Sequence, residues 1–134
     1  MTTLSQIYHE LAALPENGPF SDAAFRLVGA VILEMGEEGI ADRVVDATPN
    51  AVPWSQIANV LGIMIWSTSD NGAGIMRAAE SWLLDAKDER RAFIALHLDV
   101  YPFKEPTEMK ALLERLSLIH PCLSDACETM IASR

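Results

Sequence analysis

The side chains able to do chemistry here are His9, His97 and His120, the thiols of Cys122 and Cys127, and a surplus of carboxylates. A helical di-iron centre uses a glutamate three residues before each ligating histidine, but those positions hold Gln6, Ile94 and Ser117. His120, Cys122 and Cys127 lie close enough in sequence to suggest a soft metal, yet a structural zinc site takes four ligands; no metal and no cofactor is expected. Cysteine catalysis needs a histidine brought beside the thiol, and no local signature announces one. The nucleophile elbow of serine hydrolases, G-x-S-x-G, is missing, and no acid–base pair of carboxylates stands out. The expectation is a protein that is not an enzyme.

The carboxylates themselves are the most informative group. Glu34, Glu37 and Glu38 stand at i, i+3 and i+4, which places them on one face of a helix; Asp42, at i+8, extends that face if helical geometry continues past Gly39. Like charges at this spacing repel by a few tenths of a kcal/mol per pair. One reading is a solvated helix end, broken by Gly36 and Gly39. The other is a patch that receives Arg and Lys from a basic protein partner, where charge pairing speeds association and sets orientation.

The net charge of −9 agrees with either reading and argues against direct binding of nucleic acid, whose phosphates need clustered Lys and Arg. An anionic membrane surface is disfavoured for the same reason. Residues 1–67 carry eight acids against Arg26 and Arg43, so the first half is the more electronegative. Met1 to Leu14 has no basic start and its apolar residues are interleaved with polar ones, so no signal peptide and a cytoplasmic location are expected. Val52 to Trp66, the longest apolar stretch, is too short and too interrupted for a bilayer span.

Positioning these groups falls to helices. From Thr3 to Leu14, Leu4, Ile7, Tyr8 and Leu11 recur at helical spacing, with Thr3 and Gln6 as a capping box and Pro15, Glu16, Asn17 and Gly18 as the stop. Ser21 caps a second helix running to about Glu38, with Asp22 in its first turn and Phe20 stapled on Phe25. Its inward stripe is Phe25, Val28, Val31, Ile32 and Met35, and Gly39 supplies the left-handed C-terminal turn. A short helix over Ile40 to Ala47 buries Val44 and Val45. Pro53 opens a fourth, apolar nearly all round from Trp54 to Trp66; a strand over Leu61 to Trp66 is the alternative, disfavoured because nothing else alternates to pair with it.

Ser67 to Gly74 is a loop whose glycines match neither phosphate-binding fingerprint. A fifth helix follows with the stripe Ile75, Ala78, Ala79, Trp82 and Leu83. Asp88 caps a sixth bearing Phe93, Leu96, His97 and Val100, ended by Tyr101 and Pro102. Pro106 and Thr107 start a seventh with Met109, Leu112, Leu113 and Leu116, and Leu123, Cys127, Met130 and Ile131 mark an eighth. On one helix Cys122 and Cys127 would stand about 8 to 9 Å apart, beyond disulfide reach, so two buried thiols are expected. Trp54, Trp66 and Trp82 fall on apolar stripes and belong to the core, whereas Tyr101 and Phe103, among prolines, are the exposed aromatics. The fold class is all-α: one domain over residues 1–134, a compact antiparallel bundle of seven or eight helices, with a short stack of helical hairpins as the alternative.

A small, acidic, helical, cytoplasmic chain without catalytic motifs resembles bacterial immunity proteins, which bind and neutralise a toxin delivered by a neighbouring cell. The resemblance is one of profile, and no residue motif transfers a family site. It implies an inhibitor that lays an acidic face, Glu34, Glu37, Glu38 and Asp42, into the basic substrate groove of a nuclease toxin and binds it tightly and salt-sensitively. Two other functions fit the composition. One is a ligand-binding or enzymatic domain with a pocket between helices, His97 and nearby acids being its reactive groups; the other is an adaptor or self-associating module, with the oligomeric state left open.

Overall fold

The computed structural model describes residues 2–14, 20–98 and 101–133, and among them every regular element is helical. The order is α1 (Thr3–Ala12), α2 (Asp22–Met35), α3 (Ile40–Ala47), α4 (Trp54–Ile65), α5 (Ala73–Asp85), α6 (Glu89–Leu96), α7 (Pro106–Ile119), a 3-10 turn (Pro121–Leu123) and α8 (Ser124–Ser133). Pro15, Glu16, Asn17 and Gly18, expected to stop the first helix, and Val100 lie outside the described residues. No described helix is long and apolar enough to cross a membrane. The chain divides into two compact units, Met1–Ile75 and Met76–Arg134.

In the first unit α1 packs on α2 and α4, and α2 on α4. The α1–α2 pair is antiparallel, because polar bonds tie its opposite ends. The Ser21 hydroxyl, before α2, donates to Glu10 late in α1 (3.0 Å), and the Thr3 hydroxyl donates to Glu34 late in α2 (2.8 Å). Ile7, Val28, Val44, Ile57 and Leu61 are wholly buried. Most of α4 is buried, which agrees with its nearly continuous apolar sequence and with helix rather than strand. One buried polar pair is fully satisfied: Thr48 Oγ1 donates its single hydrogen to Val44 O (2.7 Å), so the Tyr8 hydroxyl must be the donor across the 2.8 Å separating it from Thr48.

In the second unit α7 packs on α8, α6 on α8, and the 3-10 turn on both α7 and α8. Ile131, near the end of α8, shares surface clefts with Pro106 at the start of α7 and with Ser117 near its end. Ile94, Met109, Leu113, Leu116 and Cys127 fill the interior. The Arg91 guanidinium lies over the buried Trp82 ring, 5.7 Å from its centroid.

Several expectations change. The cap of α1 is Thr2, not Thr3: its side chain accepts from Ser5 N, and the Thr3 hydroxyl reaches Glu34 instead. Ala24, Val28 and Val31, at i, i+4 and i+7, form the buried stripe of α2, so Phe25 is rotated off it and stays 44% exposed, as Phe20 also stays exposed. Phe103 is buried, not exposed, because it adopts a left-handed φ of 64° and donates its amide to Glu80 Oε1 (3.0 Å). Cys122 sits in the 3-10 turn, outside α8, and is exposed; only Cys127 is buried.

Gly72 closes the loop after α4 and lies tight against Ile65. Its φ is 80°, and a Cβ built on it would stand 2.6 Å from Ile65 Cγ2 and 3.0 Å from Ile65 Cα, an atom that cannot rotate away. Gly72→Ala combines an unfavourable φ with a clash against main chain and should cost about 2 to 4 kcal/mol in urea unfolding. A loss under about 0.5 kcal/mol would mean the loop relaxes freely.

Candidate partner-binding surface

A helix end leaves four carbonyls without partners, and α2 ends early enough for this to reorganise the acidic cluster. Gly36 takes φ 77°, ψ 159°, a region open essentially to glycine alone, and turns the chain out of the helix after Met35. The expected continuation to Glu38 does not occur. Glu34 therefore lies on α2, Glu37 and Glu38 in the turn, and Asp42 in the first turn of α3. The four acids are exposed and near one another along the chain, but they do not share the face of one helix.

Arg43 holds this turn. Its Nη1 donates to Met35 O, its Nη2 to Gly36 O (2.8 Å) and Glu38 O (2.6 Å), and its Nε also to Glu38 O (3.1 Å). One planar guanidinium thus satisfies carbonyls at the end of α2 and in the turn that follows, a task that suits its fixed fork of donors. In the sequence Arg43 registers only as a charge. Its position four residues after Gly39, in the first turn of a short helix, gives little sign of the role.

Two of the acids have intramolecular duties as well. Glu34 accepts from Thr3, as above, and Glu37 Oε1 accepts from the amide (2.8 Å) and hydroxyl (3.1 Å) of Ser69. The Glu37 bonds tie the turn after α2 to the loop after α4. That loop is organised by Asp70. Its Oδ1 accepts from the Thr68 hydroxyl (2.8 Å) and Gly72 N (3.0 Å), and its Oδ2 from Gly74 N (2.9 Å), at the start of α5. The Thr68 hydroxyl first, and then the Gly74 amide, hold the Asp70 carboxyl below its ordinary value.

On the same loop stands Trp66, which the sequence assigns to the core and the structure leaves 81% exposed. The reason is its face: four, seven and eleven residues earlier lie Gly62, Asn59 and Ser55, the one side of α4 that is not fully buried. Trp66 is one residue past the end of α4 and three before Ser69, which Glu37 grips. Leu33, 87% exposed, lies four residues before Glu37 near the end of α2.

The histidines and thiols do not gather. His9 is exposed on α1, His97 caps the end of α6, and His120 Nε2 meets Ala86 O at 2.7 Å with Nδ1 3.5 Å from Glu89. Among the described residues no three His, Cys, Asp or Glu side chains cluster as a metal would require. Asp88 caps α6 by accepting from Arg91 N (3.2 Å). Partial burial pushes its carboxyl up, but the hydrogen bonds and charge of Arg91 outweigh this and leave it below the ordinary value. Neither a family model, nor a curated protein, nor a solved structure matches this chain.

Removing the fork of donors should be measurable. Arg43→Ala is expected to lower stability by about 1 to 2 kcal/mol in urea unfolding, and Arg43→Lys to restore less than half of that, since an ammonium cannot reach divergent carbonyls at once. Equal stability of the Lys and Arg forms would assign the effect to charge alone.

Asp70 gives a pH signature. A carboxyl held low in the folded state contributes stability that is complete above its unfolded value and is lost as pH falls through its lower folded value. The wild-type chain should therefore exceed Asp70→Asn in stability at neutral pH, with the gap closing below about pH 4. A gap that persists unchanged at about pH 2 in equilibrium unfolding would show that the carboxylate charge is not what the loop uses.

Proposed function

We propose that this chain is a protein-binding inhibitor of the immunity type, which blocks a basic, nuclease-like toxin by charge-complementary binding. The observation that supports it most directly is Trp66, 81% exposed on a loop that hydrogen bonds from Ser69 fasten to Glu37 of the acidic turn. An aromatic anchor beside negative charge is the composition of a binding hot spot, since tryptophan supplies rigid apolar area and the acids select a basic counterpart. Glu34, Glu37, Glu38 and Asp42 form the charged part of the proposed surface, and the excess of acids over bases draws a cationic partner toward it.

The acids divide the work. Glu34 is held by the Thr3 hydroxyl and Glu37 by the Ser69 amide, so both contribute charge from fixed positions, while the Glu38 carbonyl is held by Arg43 and its carboxylate is exposed to solvent. The reading fits a partner whose groove is lined with Arg or Lys and has an apolar recess for an indole.

The test is binding to the purified product of the neighbouring reading frame, followed by calorimetry at several salt concentrations. Trp66→Ala is expected to weaken binding by about thirtyfold or more. Glu38→Lys should weaken it and flatten its salt dependence. The proposal fails if that product does not bind, or if both variants bind like the wild type with an unchanged salt slope.

A further inference from the structure

The second unit holds a cleft of about 460 Å³ between the end of α6 and α8, within the range of small-molecule sites. Leu96, Leu98, Ala126 and Met130 form its apolar wall, and His97, Tyr101, Thr129 and Ser133 its polar groups. The direction of the hydrogen bonds is what gives the cleft its character. The Tyr101 hydroxyl donates to Ser133 O, the Thr129 hydroxyl to Asp125 O, and the Ser133 hydroxyl to Met130 O, each at 2.8 Å. Each of these hydroxyls has one hydrogen, and each gives it to a main-chain carbonyl.

His97 follows the same pattern. Its Nδ1 lies 2.8 Å from Phe93 O, and a carbonyl can only accept, so Nδ1 carries a proton, and in the neutral form of the ring the lone pair is on Nε2. The Phe93 ring stacks on the imidazole at 4.0 Å between centroids, 19° from parallel, and holds its plane. Among the described residues, the polar side chains of the cleft therefore present lone pairs and, with the imidazole neutral, no hydrogens.

We infer that this cleft is a binding site for a small organic ammonium ion, a primary amine carrying an apolar ring or short chain. The ammonium supplies three donors to Nε2 of His97 and the hydroxyl oxygens of Thr129 and Ser133, and the apolar group covers Leu96, Leu98 and Met130. The chain's net charge of −9 favours a cationic ligand. A carboxylate of the same shape finds acceptors facing its own oxygens and is rejected, because opposed lone pairs leave both sides unsatisfied.

The experiment titrates the full chain with benzylammonium and, separately, with benzoate, following amide shifts by nuclear magnetic resonance. Benzylammonium is expected to shift the amides of His97, Thr129 and Ser133 saturably and to bind at least about tenfold more tightly than benzoate. His97→Phe keeps the ring stack and removes the acceptor, and Thr129→Val keeps the shape and removes the hydroxyl; each should weaken benzylammonium binding at least about fivefold while leaving the unfolding midpoint near that of the wild type. Benzoate binding as tightly, no saturable shift at these amides, or wild-type affinity in both variants would overturn the assignment. If one variant unfolds, the benzylammonium-to-benzoate ratio in the wild type and the behaviour of the other variant decide the matter.

Discussion

A short helix has almost as many peptide groups unpaired at its ends as bonded within it, and this chain is built of helices of 8 to 14 residues. That constraint governs where its polar side chains go. Thr2, Ser21 and Asp88 accept from otherwise unpaired amides at three helix starts, and Asp70 does so across the entry to α5. At the end of α2, where Gly36 turns the chain sharply away, Arg43 takes up the carbonyls. Hydrophobic burial orders the helices, but the positions of loops and turns between them follow from these end contacts.

The same constraint shapes the acidic surface. A carboxylate is a good acceptor for the amides and hydroxyls that loops leave open, so Glu37 and Asp70 stand where the backbone needs them. Charge at such a site is fixed in place by the fold itself. The exposed indole of Trp66 is set in the same way, by a helix that ends one residue before it on its least buried side.

Most of the helical scheme was legible in the residues. Ile40–Ala47 has the bounds that its flanking glycine and Thr48–Pro49 imply, Pro106 and Ser21 mark helix starts, and Asp88 is the cap of α6. The polar stripe of Ser55, Asn59 and Gly62 was also present, and following it to position 66 would have placed Trp66 outside the core; an overall count of apolar residues hid it. Less accessible was the end of α2. Gly36 and Gly39 both suit a helix terminus, and the choice between them rests on Arg43, which reaches back seven residues to Gly36 O. The spacing of Glu34, Glu37 and Glu38 suggested one face because periodicity presumes that the helix continues. The cleft by His97 depends on which way hydroxyl hydrogens point, and no sequence pattern encodes that.

The two thiols differ in a way that bears on oxidation. Cys127 is sealed in the interior, where burial raises its thiol, while Cys122 lies open on the 3-10 turn between α7 and α8. Desolvation, and then the hydrogen bond and charge of Glu89, push the Cys122 thiol up as well, so the sulfur that an oxidant can reach is kept in its protonated, weakly nucleophilic form. Peroxide or a second copy of the chain therefore meets, of the two thiols, only one that is exposed and slow to react, while the other is shut away from any crosslink.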